Sequence, residues 1–535
     1  MTAAILSACV LLTGGAPVAP LIHTSSGWVR GTSEHGIDAF KGIPYAQPPV
    51  GRLRWHAPEP ATAWTATRDA SRFGNACLQR PRAALRATPS EDCLYLNVWR
   101  PHPLRAPAPI LVWIHGGGDV VGAASQAVYD GSSFAKRGLV FVSFNYRLGR
   151  VGFFDHPALE NAHEGPVGNF AIMDMIAALK WVQSNAAAFG GDPRRVTVMG
   201  ESSGAASVVA LLISPKAHGL FSQAIVLSGE GRDLGLGGLT STTGPDNAST
   251  RGARFAHGYG IDGSDATALA RLRALPASDL LSDVGIGLAD RTTYTGGEIV
   301  DGSIIPSDPQ TAFASGSANY VPILVGSTSD ELAAIGLPCV ADPFSFFGAD
   351  EARARELYAD VPATDPNRKS TDTIVVASDA GSTISANITM NESERYLAGV
   401  MTAHHQVAWL DRFGYVPTAR RSHQRLAPHA SDNPFTFDTL PNTASAQDHA
   451  MADSMNAYFA NFALHGNPNA PGLPAWLPYA PGDERLMDFT SDRGPVFERD
   501  PIADRLDLIA KVRNAKHIVY RSALPSTNFV FGCTP

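Results

Sequence analysis

The chain is short of charge, of cysteine and of long apolar runs, and each shortage removes a class of protein. Charged residues are 17% of the 535 positions and hydrophobic residues 44%, a balance that excludes intrinsic disorder. The formal net charge is −8 and no basic run interrupts it, so nucleic acid and anionic membrane surfaces are not expected partners. Beyond the N-terminal segment, no stretch is long, uncharged and free of glycine and proline for a bilayer's thickness, so no transmembrane segment is expected. No clustered Cys/His spacing offers a zinc site, and no metal or cofactor is called for. Internal repeats, heptads and linker-like stretches are absent too. Nothing therefore divides the chain or demands association, and its oligomeric state stays open. Lysine is scarce beside arginine, as in GC-rich bacterial genomes.

The five cysteines are Cys9, Cys77, Cys93, Cys339 and Cys533. Residues 1–19 read as a signal segment, small and apolar but without a basic start, and export to a secreted or periplasmic location is expected. Leu6-Ser7-Ala8-Cys9 resembles a lipoprotein box, and Cys9 would carry a lipid anchor if it were used as one. Removing Cys9 leaves an even number, which fits an oxidising compartment. Cys339 and Cys533 are then either a second pair or free buried thiols.

What is present is α/β in character. Ile110 to Ile114, Leu139 to Phe144, Val196 to Met199, Ala224 to Leu227 and Ile323 to Val325 are short continuous apolar runs. Such runs suit a parallel sheet covered by helices on both faces. Phe170 to Phe189 has helical spacing, ended by Gly190-Gly191-Asp192-Pro193. The first hundred residues, rich in proline, read as hairpins and loops laid against the sheet.

The chemistry concentrates at Gly200-Glu201-Ser202-Ser203-Gly204, set between an apolar strand and a helix-like stretch. A G-x-S-x-G turn there lifts a serine hydroxyl out of the chain, because small glycines tolerate strained backbone and close packing. A serine nucleophile needs a base, an acid that orients the base, and donors for the developing oxyanion. His115-Gly116-Gly117-Gly118 directly follows a strand. With the residue after the serine it offers three backbone donors, from Gly117, Gly118 and Ser203.

These features resemble the type-B carboxylesterases, α/β-hydrolases that include cholinesterases and bacterial p-nitrobenzyl esterases. The resemblance runs from about Gly27 to Tyr479 and includes Phe40 to Ala46, Glu91 to Asn97, Asn145 to Gly149 and Phe189 to Pro193. It implies one α/β-hydrolase domain over 20–535, a mostly parallel sheet flanked by helices, with cap excursions near 233–300 and 343–410. The family's early disulfide falls on Cys77 and Cys93. Its acid motif falls on Gly326 to Glu331, where Leu332 replaces a glycine. Glu331 is the favoured acid and Asp330 its rival. Its base motif falls on Pro428 to Phe437, giving His429 as base over the nearby His423. The resemblance also gives Glu201 and Ser228 supporting roles.

The implied activity is hydrolysis of small to medium, mostly neutral carboxylic esters through an acyl-enzyme. A lipase or acyltransferase using the same residues, or a non-catalytic adhesion protein, are the alternatives. Asp119 stands where the family has an aromatic. It either turns outward or meets a hydroxyl or cationic group of the substrate. The segment from Cys77 to Cys93 lacks tryptophan, which disfavours choline esters.

Overall fold

Five apolar runs of the sequence become neighbouring strands because each is buried on both faces. The structure, a computed structural model, describes residues 19–82, 84–104, 106–232, 240–241, 244, 246–282, 293–294, 296–331, 342–361 and 380–516. Residues 1–18 with Cys9, Leu332, Cys339, Cys533 and parts of both expected excursions lie outside the described residues.

The central sheet has eleven strands. They are β1 (Thr32–Glu34), β2 (Ile37–Pro44), β3 (Tyr95–Pro101), β4 (Ala108–Ile114), β5 (Val140–Phe144), β6 (Gly191–Glu201), β7 (Gln223–Leu227), β8 (Ile323–Thr328), β9 (Ala408–Phe413), β10 (Arg485–Thr490) and β11 (Gly494–Arg499). Their spatial order is β11-β10-β9-β8-β7-β6-β4-β5-β3-β2-β1. From β5 across to β10 every neighbouring pair is parallel. Both edges turn antiparallel. All residues of β4 and β5 are buried, as expected for strands with helices on both sides.

The N-terminal region departs from expectation in one respect. A hairpin-like pair does form from Leu21–Thr24 and Gly27–Arg30. However, β1, β2 and β3 extend the sheet edge instead of lying against its face. Proline-rich loops around them masked that reading.

Helix α1 (Phe170–Asn185) and helix α2 (Ser203–Ile213) pack on the sheet. Helix α1 is ended by a short 3-10 turn and Gly190 at φ 76°. Helix α3 (Glu392–Ala403), helix α4 (Ala446–His465) and helix α5 (Ala503–Lys516) follow. Helix α4 opens with a capping box between Ser445 and Asp448 and closes at Gly466, so both ends have their backbone groups satisfied. A separate apolar cluster joins Phe347, Tyr358, Ile384 and Ile388 to Leu506 and Ile509 of α5. The second expected excursion is thus anchored by the C-terminal helix. Among the described residues no helix is long and apolar enough to cross a membrane.

Chain direction places the site. After β4 the chain goes to β5 on one side, then crosses β4 to form β6 on the other. Such a reversal opens a crevice at the carboxyl ends of the strands, where ligands bind in open α/β sheets. The glycine loop leaves β4 there, and Ser202 leaves β6 beside it.

Two braces hold these loops. Arg147 and Asp174 form a fully buried, two-pronged ion pair with N···O distances of 2.8 and 2.7 Å. The same segment donates from Tyr146 Oη to the His115 carbonyl at 2.6 Å and from Gly149 N to the Asp119 carbonyl at 2.6 Å. The disulfide between Cys77 and Cys93 is formed, and Gln79 within its loop exchanges two hydrogen bonds with the Gly122 backbone.

Asp174→Ala strands the Arg147 charge in the core and should cost about 3–5 kcal/mol in urea unfolding. A loss no larger than a surface pair's, about 1 kcal/mol, would contradict that anchoring role. Reducing the disulfide, or Cys93→Ser, should cost about 3 kcal/mol through restored chain entropy. An unchanged denaturation midpoint on reduction would refute the brace.

Candidate active site

Ser202 sits between β6 and α2 with φ 58° and ψ −132°, a conformation that costs about 1–3 kcal/mol for a non-glycine residue. Its neighbours explain how the turn persists. A Cβ on Gly200 would lie 2.3 Å from the Gly204 carbonyl oxygen, and one on Gly204 would lie 2.2 Å from that of Ile114. Only glycine permits this closeness between the turn and β4. Ser202 N donates to the Leu227 carbonyl at 2.9 Å, and its own carbonyl accepts from Ala205 and Ala206 N. The backbone is therefore satisfied on both sides, and the side chain is left to face the crevice.

His429 Nε2 lies 2.8 Å from Ser202 Oγ, and its Nδ1 lies 2.5 Å from Glu331 Oε2. An ionised carboxylate can only accept, so in the neutral ring that acts as base Nδ1 carries the proton towards Glu331 and Nε2 accepts from the serine hydroxyl. Glu331 Oε1 accepts from Thr328 N at 2.7 Å and from Ser228 Oγ. The structure thus brings Ser202, His429 and Glu331 into one chain of contacts. Asp330, the rival acid, uses its backbone elsewhere: its N donates to the Ala427 carbonyl and its own carbonyl accepts from His429 N. That pairing sets the approach of His429. His423, the rival base, is exposed on a surface turn.

Glu201 is buried, with Oε1 3.3 Å from His429 Nε2. Ser228 reaches Glu331 and not Glu201, so its support goes to the acid. The glycine loop packs on the turn: a Cβ on Gly116 would meet the Glu201 carbonyl oxygen at 2.5 Å. Gly118 lines the same small cavity as Ser202 and Ser203, while Gly117, at φ 125°, turns the loop. Ser203 Oγ accepts from Asp119 N at 3.1 Å.

Electrostatics follow from burial. For His429 burial favours the neutral ring, but Glu331, then Glu201 and Asp432, outweigh it and push the imidazole up to about 9. Burial likewise works against the Glu331 carboxylate. The His429 charge and hydrogen bonds from His429, Ser228 and Thr328 overcome it and hold Glu331 below its ordinary value. Burial raises Glu201, with His429 opposing. It also lifts Asp432 to about 8, aided by Glu201 and Glu331. His115 is pushed down to about 4 by burial against its contact with the Gly116 carbonyl, so it is a neutral packing residue stacked on Tyr146.

Asp119 does not turn outward. It is 3% exposed, and it lines the cavity beside Ser202. Burial, then Glu298 and Glu230, raise its carboxyl well above the usual range. No sequence motif singles out Glu230, Glu298 or Glu394, which burial brings to the site. Glu230 stands two residues beyond Ser228 at the carboxyl end of β7, where ligand-facing groups gather, and that position was the available signal. Glu298 and Glu394 carried none.

Two N-x-S/T triplets, beginning at Asn387 and Asn391, have a structural use. Asn387 and Asn391 are buried and hydrogen-bonded to one another, and Asn391 also donates to Ser327 Oγ.

The comparisons identify the family. A sequence profile described as the carboxylesterase family matches residues 18–500. The chain is 35% identical over 503 residues to fumonisin B1 esterase of Sphingopyxis macrogoltabida, covering 88% of this chain and 86% of that one. It is 33% identical over 510 residues to para-nitrobenzyl esterase of Bacillus subtilis (strain 168), covering 91% and 97%. A solved PNB esterase superposes with a TM-score of 0.75 at 30% identity, covering 92% of this chain and 100% of that one. The chain belongs to the carboxylesterase family, and it is a carboxylic ester hydrolase with the α/β-hydrolase fold.

Proposed function

We propose that the protein hydrolyses small-molecule carboxylic esters through a covalent acyl-serine. The observation that carries this reading is the contact chain from Ser202 Oγ through His429 to Glu331 at the carboxyl ends of the parallel strands. Ser202 Oγ attacks the ester carbonyl as His429 Nε2 takes its proton. Negative charge on the former carbonyl oxygen is met by the N–H groups of Gly117, Gly118 and Ser203. The tetrahedral species collapses by breaking the bond to the alcohol oxygen, which receives the proton from His429. Water then gives a proton to His429, attacks the acyl carbon, and releases the acid with Ser202 Oγ reprotonated.

Glu331 orients the ring and favours the imidazolium formed at each attack. Glu201, close to the same ring nitrogen as the serine, adds to that stabilisation. The Cys77–Cys93 disulfide supports an exported, secreted or periplasmic protein.

Initial rates on p-nitrophenyl esters from acetate to palmitate test the reaction. Ser202→Ala should lower kcat at least about a thousandfold, and the chain length at the maximum distinguishes esterase from lipase. Hydrolysis that survives Ser202→Ala would overturn the proposed nucleophile.

The pH dependence has a definite sign. The base acts only as neutral imidazole, so a raised pKa moves the rise of kcat/KM to higher pH. The ordinary histidine range, pH 6 to 7, is what the sequence alone would suggest. The surrounding carboxylates place the midpoint above it. Glu201→Gln removes one of those charges and should shift the midpoint down by about one unit. A wild-type midpoint at or below the ordinary value, or one indifferent to Glu201→Gln, would contradict this electrostatic picture.

A further inference from the structure

Beside Ser202 the cavity holds more negative potential than ester hydrolysis asks for. Asp119 leaves the glycine loop after β4, Glu230 leaves β7, and Glu298 comes from the segment that ends at Ile299–Val300. All three are at most 4% exposed. Asp119 and Glu230 line the cavity together with Ser202, while Gly296, two residues before Glu298, closes it. Asp119 Oδ2 lies 3.1 Å from the position a Cβ would take on Gly297, so the two acidic segments touch.

For two of them, Asp119 and Glu298, carboxylate oxygens lack partners among the described residues. Asp119 draws on the Ser203 hydroxyl and Glu298 on its own backbone N–H, but Asp119 Oδ1 and the Glu298 oxygens find no partner on any other described residue. Among the described residues no arginine or lysine contributes to the electrostatic environment of either group. Buried carboxylates are expensive unless they meet a cation or hold a proton. Ionised beside the oxyanion, they would also oppose the charge that develops when Ser202 attacks.

We infer that this cavity is a subsite for a protonated amine carried by the ester substrate, held by Asp119 with Glu298 behind it. The inference rests on the serine-esterase reading of the same site. An ammonium group would satisfy the unpaired oxygens through charge-assisted N–H···O bonds. It would also cancel the repulsion that the carboxylates exert on the transition state, so its benefit falls on turnover as well as binding.

The chemistry of the lining narrows the cation further. None of the described residues around the cavity is aromatic, so a quaternary ammonium would find no ring to sit on. A primary or secondary amine, with N–H donors, fits carboxylates instead. A metal ion fits less well, since no group of three or more candidate ligands close enough to share one occurs among the described residues. Without the amine, the raised carboxyl groups of Asp119 and Glu298, the latter up to about 7 through burial, hold protons readily, which removes the cost of burying bare charge.

The test uses two isosteric pairs at neutral pH: ethyl γ-aminobutyrate against ethyl pentanoate for the acyl side, and γ-aminopropyl acetate against butyl acetate for the alcohol side. The wild type should prefer the cationic member of at least one pair by about tenfold in kcat/KM. That ratio should collapse towards unity in Asp119→Asn, and fall in the same direction in Glu298→Gln. Equal or better use of the neutral member in both pairs, or a ratio untouched by both variants, would overturn the subsite.

Failure of the underlying reading looks different. Hydrolysis of both pairs would then persist in Ser202→Ala, whatever the ratio. Calorimetric titration with n-butylammonium gives a readout free of turnover. Binding to the wild type that is lost in Asp119→Asn supports the subsite, and equal or absent heats in both proteins count against it.

Discussion

Everything in the site depends on one strained residue held in place by close backbone packing. Ser202 adopts a positive φ, and the strain is tolerated because Gly200 lets the turn close on itself and Gly204 lets it press against the end of β4. The bond from Ser202 N to the Leu227 carbonyl ties the turn to β7 on its other side. The nucleophile is thus fixed by strands and a helix, while the glycine loop, the acid and the base reach it from the ends of β4, β8 and β9. A scaffold of this kind supplies pre-organisation, since no group has to be ordered at the moment of reaction.

The second organising feature is an accumulation of buried carboxylates with few cations to balance them. Around His429 stand Glu331, Glu201 and Asp432, and Glu394 lies behind them, raised by burial and by Glu331. Glu394 Oε1 accepts from Gly229 N at 3.0 Å, so it also pins the backbone after Ser228. The effect is two-sided. Negative neighbours make the imidazolium easier to form during attack, yet they demand a higher pH before the ring is free to act as a base. Asp119, Glu230 and Glu298 extend the same acidity to the substrate side of Ser202. Charge in this molecule is placed by burial, and the modest overall charge gives no hint of it.

Much of this was legible beforehand, for identifiable reasons. Continuous apolar runs mark fully buried parallel strands, and the five found that way are central strands of the sheet. The G-x-S-x-G turn, the glycine loop and the Pro428 to Phe437 block carry local constraints strong enough to show as fixed patterns. Glu331 over Asp330 needed the structure, because adjacent carboxylates differ only in which way the chain faces. The edge strands β1 to β3 were hidden among prolines, β9 and β10 interrupt their apolar runs with the buried Asp411 and Asp488, and β11 is only half-covered. Glu298 and Glu394 reach the site from distant segments through tertiary packing, which leaves no periodicity to read.

Covalent trapping tests the central claim most directly. Diethyl p-nitrophenyl phosphate, added in slight excess, reports its p-nitrophenolate release by absorbance, and peptide mass spectrometry locates the phosphoryl group. Stoichiometric release, a single adduct on Ser202 and parallel loss of ester hydrolysis are the expected result. An adduct elsewhere that abolishes activity, or full activity in protein already modified at Ser202, would contradict the acyl-serine mechanism.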